Sequence, residues 1–306
     1  MIRYTIARLG QAVLVLFGIS VITFLLTYLV PADPARMIAG HSATAETVAR
    51  IRAELGLDQP LPVQYGRYLW NLLHGDLGRS YAQRVAVTEL LLSRLPATFQ
   101  LMVAGIFAEV LLGIPAGILA ALGRGRWPDR LGMVLAFSGV SAPQFAVGLL
   151  LLYVFGYQWP ILPLGGYGTW RHVILPALTL GIAGAGWYAR VMRSAMVEVL
   201  NQHYIRTATA KGLAPSKVVL KHALRNSILP VVSMVGLDIG VFMGGVVVVE
   251  SVFAWPGIGQ LAWQAIQILD IPVIMGVVML TASFIVVGNL LADLVYPLLD
   301  PRIKYS

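Results

Sequence analysis

The sequence predicts an all-α, polytopic membrane protein with six transmembrane helices. Three observations carry that prediction. Of 306 residues, 58% are hydrophobic and 12% are charged, about half the ~25% charge of soluble domains. Mean hydropathy is +0.78. Six long stretches are almost free of charge, near the roughly 20 apolar residues a helix needs to cross the hydrocarbon core. A soluble globule of this composition would expose large apolar patches. Disorder requires low hydrophobicity with high net charge. Both are excluded.

In chain order the stretches are 9–30, 97–122, 131–157, 173–189, 227–249 and 271–292. The second is interrupted only by Glu109, the fourth extends past Arg190 toward Leu200, and the fifth contains one charge, Asp238. The first is too long for a signal peptide and shows no small-residue cleavage site before Pro31, so it reads as an uncleaved helix.

Six crossings place both termini on one side. With an inner N-terminus, 14 of the 22 Lys and Arg fall on inner pieces, seven of them between Arg190 and Arg225. The short outer loops carry only Arg171, and the 31–96 segment is long enough to escape the positive-inside rule. Both termini are therefore expected in the cytoplasm. The net charge of +8 reads as topology and contact with anionic lipid, not as nucleic-acid binding.

Several chemistries are absent from the sequence. It contains no cysteine, which removes disulfides, thiolate metal sites and thiol nucleophiles. No His pair has metalloprotease spacing, and none of the four lysines sits in a phosphate loop. Any ATP hydrolysis must belong to another chain.

The sequence divides into an N-terminal helix with an extracytoplasmic helical segment (1–96), a transmembrane core (97–297) and a cytoplasmic tail (298–306). Within 31–96, Thr44 predicts a helix cap with Glu46 in the first turn. Val48, Ile51 and Leu55 keep helical spacing until Gly56 ends it. Pro62 opens a second helix that presents Tyr65, Leu69 and Leu72 on one face and stops at Gly75. Both helices are expected on the outer membrane surface or over the mouth of a translocation path.

The 198–226 segment is long, basic and patterned as helix, break, helix. Gly212 ends the first helix and Pro215 starts the second, in which Lys217, Lys221 and Arg225 make a basic stripe. Three readings fit this pattern. It could be a solvated loop that enforces topology, a helix-turn-helix reader, or a pair of short helices that docks in a groove of a cytosolic partner. The tether between two spans disfavours the second.

Tyr204-Ile205-Arg206-Thr207-Ala208-Thr209-Ala210-Lys211-Gly212-Leu213, with Leu220-Lys221-His222-Ala223-Leu224-Arg225-Asn226 and Leu229-Pro230, resembles the "EAA" loop of binding-protein-dependent ABC importers. Further matches are Pro31-Ala32-Asp33-Pro34-Ala35-Arg36, Leu55-Gly56-Leu57-Asp58-Gln59-Pro60-Leu61 and Gly75-Asp76-Leu77-Gly78. Val252-Phe253, Trp255-Pro256-Gly257-Ile258-Gly259 and Asp300-Pro301-Arg302 complete them. The whole chain is thus similar to the permeases of the dipeptide/oligopeptide/nickel importer family. Arg126-Trp127-Pro128-Asp129-Arg130-Leu131 and the length are similar to its glutathione-type members. Arg206 and Thr207 depart from the Glu and first Ala of the general pattern, as peptide-type members do, whereas Ala208 and Gly212 match.

The resemblance implies a type I ABC importer permease fold and import of short peptides across the bacterial inner membrane. Alternatives are a nickel-chelate permease and, from another class, an ion-coupled secondary transporter, for which no inverted repeat is visible. Implied partners are a second homologous permease, two cytosolic ATPases holding ATP and Mg, and an extracytoplasmic solute-binding protein. No cofactor, metal or catalytic residue is expected on this chain. The coupling residues implied are Arg206, Thr207, Ala208, Lys211, Gly212 and Leu213, supported by Lys217 and Lys221.

Glu109 and Asp238 are charges near mid-membrane, which cost at least ~2.5–3.5 kcal/mol each on insertion scales. They either face a water-filled translocation path or sit at buried helix contacts. Small-residue faces at Gly181, Gly184 and Gly186 and at Gly240, Gly244 and Gly245 permit close helix approach. Pro115, Pro143 and Pro176 are expected to kink their spans. The loop with Trp255, Pro256, Gly257 and Gly259 is expected outside, as a gate, a contact for the binding protein, or a structural corner.

Overall fold

The computed structural model describes residues 2–29, 34–40 and 43–299. Among them, β-structure is limited to one isolated antiparallel bridge between Arg79 and Ala86. The motifs at Pro31, Ala32 and Asp33, and at Asp300, Pro301 and Arg302, lie outside the described residues, as does the tail from 300 onward.

The helices are α1 (Ile2–Leu29), α2 (Pro34–Ala39), α3 (Ala45–Leu55), α4 (Leu61–Leu73), α5 (Val87–Leu122), α6 (Trp127–Ser141) and α7 (Gln144–Leu151), which continues as a π-helix over Leu152–Gln158. Then come α8 (Trp170–Leu200), α9 (His203–Ala210) and α10 (Pro215–Lys217), which continues as a π-helix over Val218–Ala223. The rest are α11 (Leu224–Ser227), α12 (Leu229–Met243), α13 (Val247–Val252), α14 (Ile258–Gln267) and α15 (Ile271–Leu299). Among the described residues four helices are long and apolar enough to cross a membrane alone, or up to six if each of two bent pairs is one span.

The span 131–157 bends at Ala142–Pro143, where α6 and α7 meet at 100°, the kink expected of Pro143. Pro115 and Pro176, by contrast, sit inside the continuous α5 and α8. The expected span 227–249 is shorter: α12 ends at Met243, the chain turns through Gly244–Gly245, and α13 follows as a separate short helix.

The centre of the fold is the α5–α8 pair. Gly105 packs on Leu180, Gly113 on Tyr188 and Gly117 on Met192. The numbers ascend together, so the two helices run parallel. A Cβ at Gly113 would come within 2.8 Å of the Ala185 carbonyl oxygen, and one at Gly117 within 2.6 Å of that of Ala189. Close approach here therefore requires glycine, as in small-residue packing generally. Gly181 closes the same seam against Ala108, Gly186 instead packs on the Ala136 carbonyl of α6, and Gly240 packs on Ile285 and Gly288 of α15.

Because α5 and α8 are parallel, the 43–86 segment that feeds α5 and the 201–227 segment that leaves α8 lie at opposite ends of the pair. The first forms as its sequence predicts. The Thr44 side chain accepts from the Thr47 N–H, and Gly56 ends α3 in the left-handed region at φ +66°. Tyr65 of α4 hydrogen-bonds Ser20 of α1 at 2.9 Å and meets the Phe24 ring edge-on at 5.3 Å.

A buried carboxylate, Asp270, fastens this segment to the start of α15. Ser80 Oγ donates to Asp270 Oδ2, and the N–H groups of Tyr81 and Ala82 donate to its two oxygens at 3.0 and 3.3 Å.

Candidate functional site: the basic helical elbow and the buried polar core

The 198–226 segment folds as an elbow. Gly212 adopts φ +73° with no atom within 4 Å of where a Cβ would sit, a conformation that glycine adopts without steric cost. Its N–H donates to the Thr209 carbonyl at 3.0 Å, as that of Lys211 does to Thr207. Pro215 then occupies the first turn of α10, where its missing N–H costs nothing.

The elbow is held against the bundle by its apolar side. Ile205, Ala208, Val218 and Ala223 are buried in one cluster with Tyr188, Met192 and Met196 of α8. Asn226 Nδ2 donates to the Tyr204 hydroxyl at 2.7 Å, tying the two arms together. Directly above, Arg193 of α8 forms a two-pronged pair with Asp129 of α6 at 2.6 and 2.7 Å, and Gly125 N–H donates to the same carboxylate at 2.9 Å.

Of the eight predicted coupling residues, Arg206, Thr207, Lys211, Gly212, Lys217 and Lys221 are exposed, and Leu213 is half-buried. Ala208 differs. It is buried against the chain's own span, so its small side chain serves internal packing. Leu220 is 62% exposed, an apolar side chain between the exposed Lys217 and Lys221.

The two mid-membrane acids come together. Glu109 of α5 and Asp238 of α12 lie close enough to interact, and the Tyr188 hydroxyl of α8 donates to Asp238 Oδ2. Glu109 is buried, and its carboxyl occupies the space left by Gly184, where a Cβ would fall 1.8 Å from Oε1. Asp238 is half-buried. Tyr188 was not found from sequence: an aromatic at helical spacing reads as core.

The Trp255 loop is folded inward. Trp255 is fully buried, its indole Nε1–H donating to the Ala97 carbonyl at 2.9 Å and its ring meeting Tyr167 edge-on. Ile258 N–H donates to Thr98 Oγ1 at 2.8 Å. Gly257 and Gly259 pack on the carboxylate of Glu250, which is also fully buried and accepts from the Gln260 N–H at 2.7 Å. Only Pro256 of the four predicted residues is partly exposed. Glu250 was missed as well; its position just past the fifth apolar stretch was the available signal.

Among the described residues no three His, Asp or Glu side chains converge as a metal site. What the arrangement offers is a packed helical core, a cationic elbow anchored at one end and a capped helical segment at the other. That is the architecture of a membrane permease subunit.

Comparison with known proteins agrees. The pattern of the family "Binding-protein-dependent transport system inner membrane component" matches residues 113–305, and that of its N-terminal component matches residues 1–102. The chain belongs to this family, the membrane permeases of ABC importers. It is 46% identical over all 306 residues to the glutathione transport system permease protein GsiC of Salmonella paratyphi A, each chain fully covered. Identity to GsiC of Escherichia coli is 44%, with the same coverage. A structure of the inward-facing MetNI methionine ABC transporter aligns with TM-score 0.58 at 18% identity, over 69% of this chain and 96% of that one; this likeness concerns the fold alone.

Proposed function

We propose that this chain is the transmembrane subunit through which an ATP-driven importer carries short peptides, glutathione among them, across the bacterial inner membrane. The observation that carries the substrate class is full-length identity of 44–46% to permeases named for glutathione. A second homologous permease completes the path, a solute-binding protein delivers substrate outside, and two cytosolic ATPases bind the elbow. Both termini face the cytoplasm, on the basic side.

In this reading Arg206, Thr207, Lys211, Gly212, Leu213, Lys217 and Lys221 form the docking face, with Ala208 holding α9 to the bundle. Apolar Leu220 enters a groove on the ATPase while the basic groups fix its register, the usual division for a helix in a groove. Nucleotide state then biases two discrete packings of the bundle, opening the path to alternate sides. Asp238, the less buried of the two acids, meets the ammonium group of a passing peptide, with Glu109 and Tyr188 setting its charge and orientation. The loop of Trp255, Pro256, Gly257 and Gly259 is a closed corner that gates the outer mouth from within.

The test is uptake of labelled glutathione by proteoliposomes containing the permease, its ATPases and its binding protein. ATP-dependent uptake that stops when the binding protein is omitted is expected; uptake by the lone chain without nucleotide overturns the reading.

A further inference from the structure

A cavity of about 460 Å³ opens between α3, α4, the 76–81 loop and the start of α15, the size of a small-molecule site. Its floor is apolar and comes from two spanning helices: Phe24 of α1, and Ile271 and Met275 of α15. Its wall is polar and cationic. Arg52 and Arg67 line it, against one carboxylate, Asp76, whose Oδ1 accepts the Gly78 N–H at 2.9 Å.

Arg67 lies across Gly56 and gives one N–H to the Leu55 carbonyl at 3.4 Å, one of the five donors of a guanidinium. The Tyr68 hydroxyl also lines the cavity, and it is buried without a hydrogen-bond partner. Burial, helped by neighbouring Tyr65, pushes the Tyr68 phenol up to about 12. Burial and the charge of Asp270 do the same for Tyr81. Both therefore remain O–H donors at any physiological pH. A buried donor without an acceptor costs about 1–3 kcal/mol, and among the described residues the Tyr68 hydroxyl has none, so a ligand acceptor in the cavity would relieve that cost.

Depth decides what kind. The floor residues belong to the ends of spans, and the neighbouring face of α4 exposes Trp70 and Leu73, as an interfacial helix does. We propose that this cavity binds the phosphate of an anionic phospholipid. Arg52 and Arg67 hold the phosphate, Tyr68 donates its O–H, and the acyl chains leave over Phe24 and Met275 along α1. A free phosphate shares the anion chemistry but leaves the apolar floor without purpose. The site is independent of the transported solute.

The test is native mass spectrometry of the full chain purified in detergent, titrated with phosphatidylglycerol, phosphatidylcholine or inorganic phosphate. One phosphatidylglycerol should be retained in preference to phosphatidylcholine. Its affinity should fall about tenfold in R52Q/R67Q, the loss of roughly one charge-assisted hydrogen bond, and by less in Tyr68→Phe. Inorganic phosphate should not displace it. The proposal is overturned by equal retention of both lipids, by displacement with inorganic phosphate, or by unchanged retention in the variants. Should R52Q/R67Q fail to fold, Tyr68→Phe decides alone.

Discussion

The indole of Trp255 donates to the Ala97 carbonyl at 2.9 Å, so the loop after α13 is fixed to the upper half of α5. The next contact along, Ile258 N–H to Thr98 Oγ1, repeats the attachment one residue further on α5. Replacing Trp255 with Phe keeps much of the ring but removes the donor. Stability should fall by about 1–3 kcal/mol, the range for stranding a buried partner. A thermal melt of the detergent-solubilised protein checks this.

Gly212→Asp separates folding from coupling. A Cβ at this position meets nothing within 4 Å, and a non-glycine residue in the left-handed region costs only about 1 kcal/mol. Membrane insertion and the melt should therefore stay near wild type. Peptide uptake should vanish, because a carboxylate then stands in the middle of a basic docking face. Normal uptake by this variant would remove the elbow from the coupling role.

Asp238→Asn addresses the path. The amide oxygen can still accept from Tyr188, so packing is retained while the negative charge is lost. Uptake of a peptide with a free amino terminus should drop at least tenfold, about 1.4 kcal/mol, and uptake of an N-acetylated analogue should change less. Equal uptake of both peptides at the wild-type rate sinks the idea.

Arg193→Ala strands the buried Asp129. Breaking a charge-assisted pair of this kind costs about 1.5–3 kcal/mol, and the double change with Asp129→Asn should recover part of it. A double-mutant cycle of melting temperatures reads the coupling.

Asp270→Ala leaves the Ser80 hydroxyl and the N–H groups of Tyr81 and Ala82 without their acceptor. The 79–86 region should then become open to limited proteolysis, while the α5–α8 core remains resistant. Unchanged protection there would mean that the segment is held by α1 and α4 alone.

Local signals in the sequence were read correctly wherever a single residue carries the physics. Thr44, Gly56, Gly212 and Pro215 cap, stop or start helices through their own backbone and side-chain preferences. The three prolines expected to kink their spans divide: α6 and α7 part at 100° at Pro143, whereas Pro115 and Pro176 sit inside continuous helices. Which proline breaks a span depends on what packs around it. The burial of Trp255 was not legible because it is decided by Ala97 and Tyr167, far away in the chain. The meeting of Glu109, Tyr188 and Asp238 needs three helices in register, and spacing within one helix cannot report it.

The parallel glycine seam between α5 and α8 has a mechanical consequence. With backbones in close approach at Gly113 and Gly117, little side-chain layer is left there to absorb a displacement. A push delivered at the base of one helix is therefore handed to the other with little slack, and the two tilt as a single lever whose far arm ends beneath the Asp270 clasp.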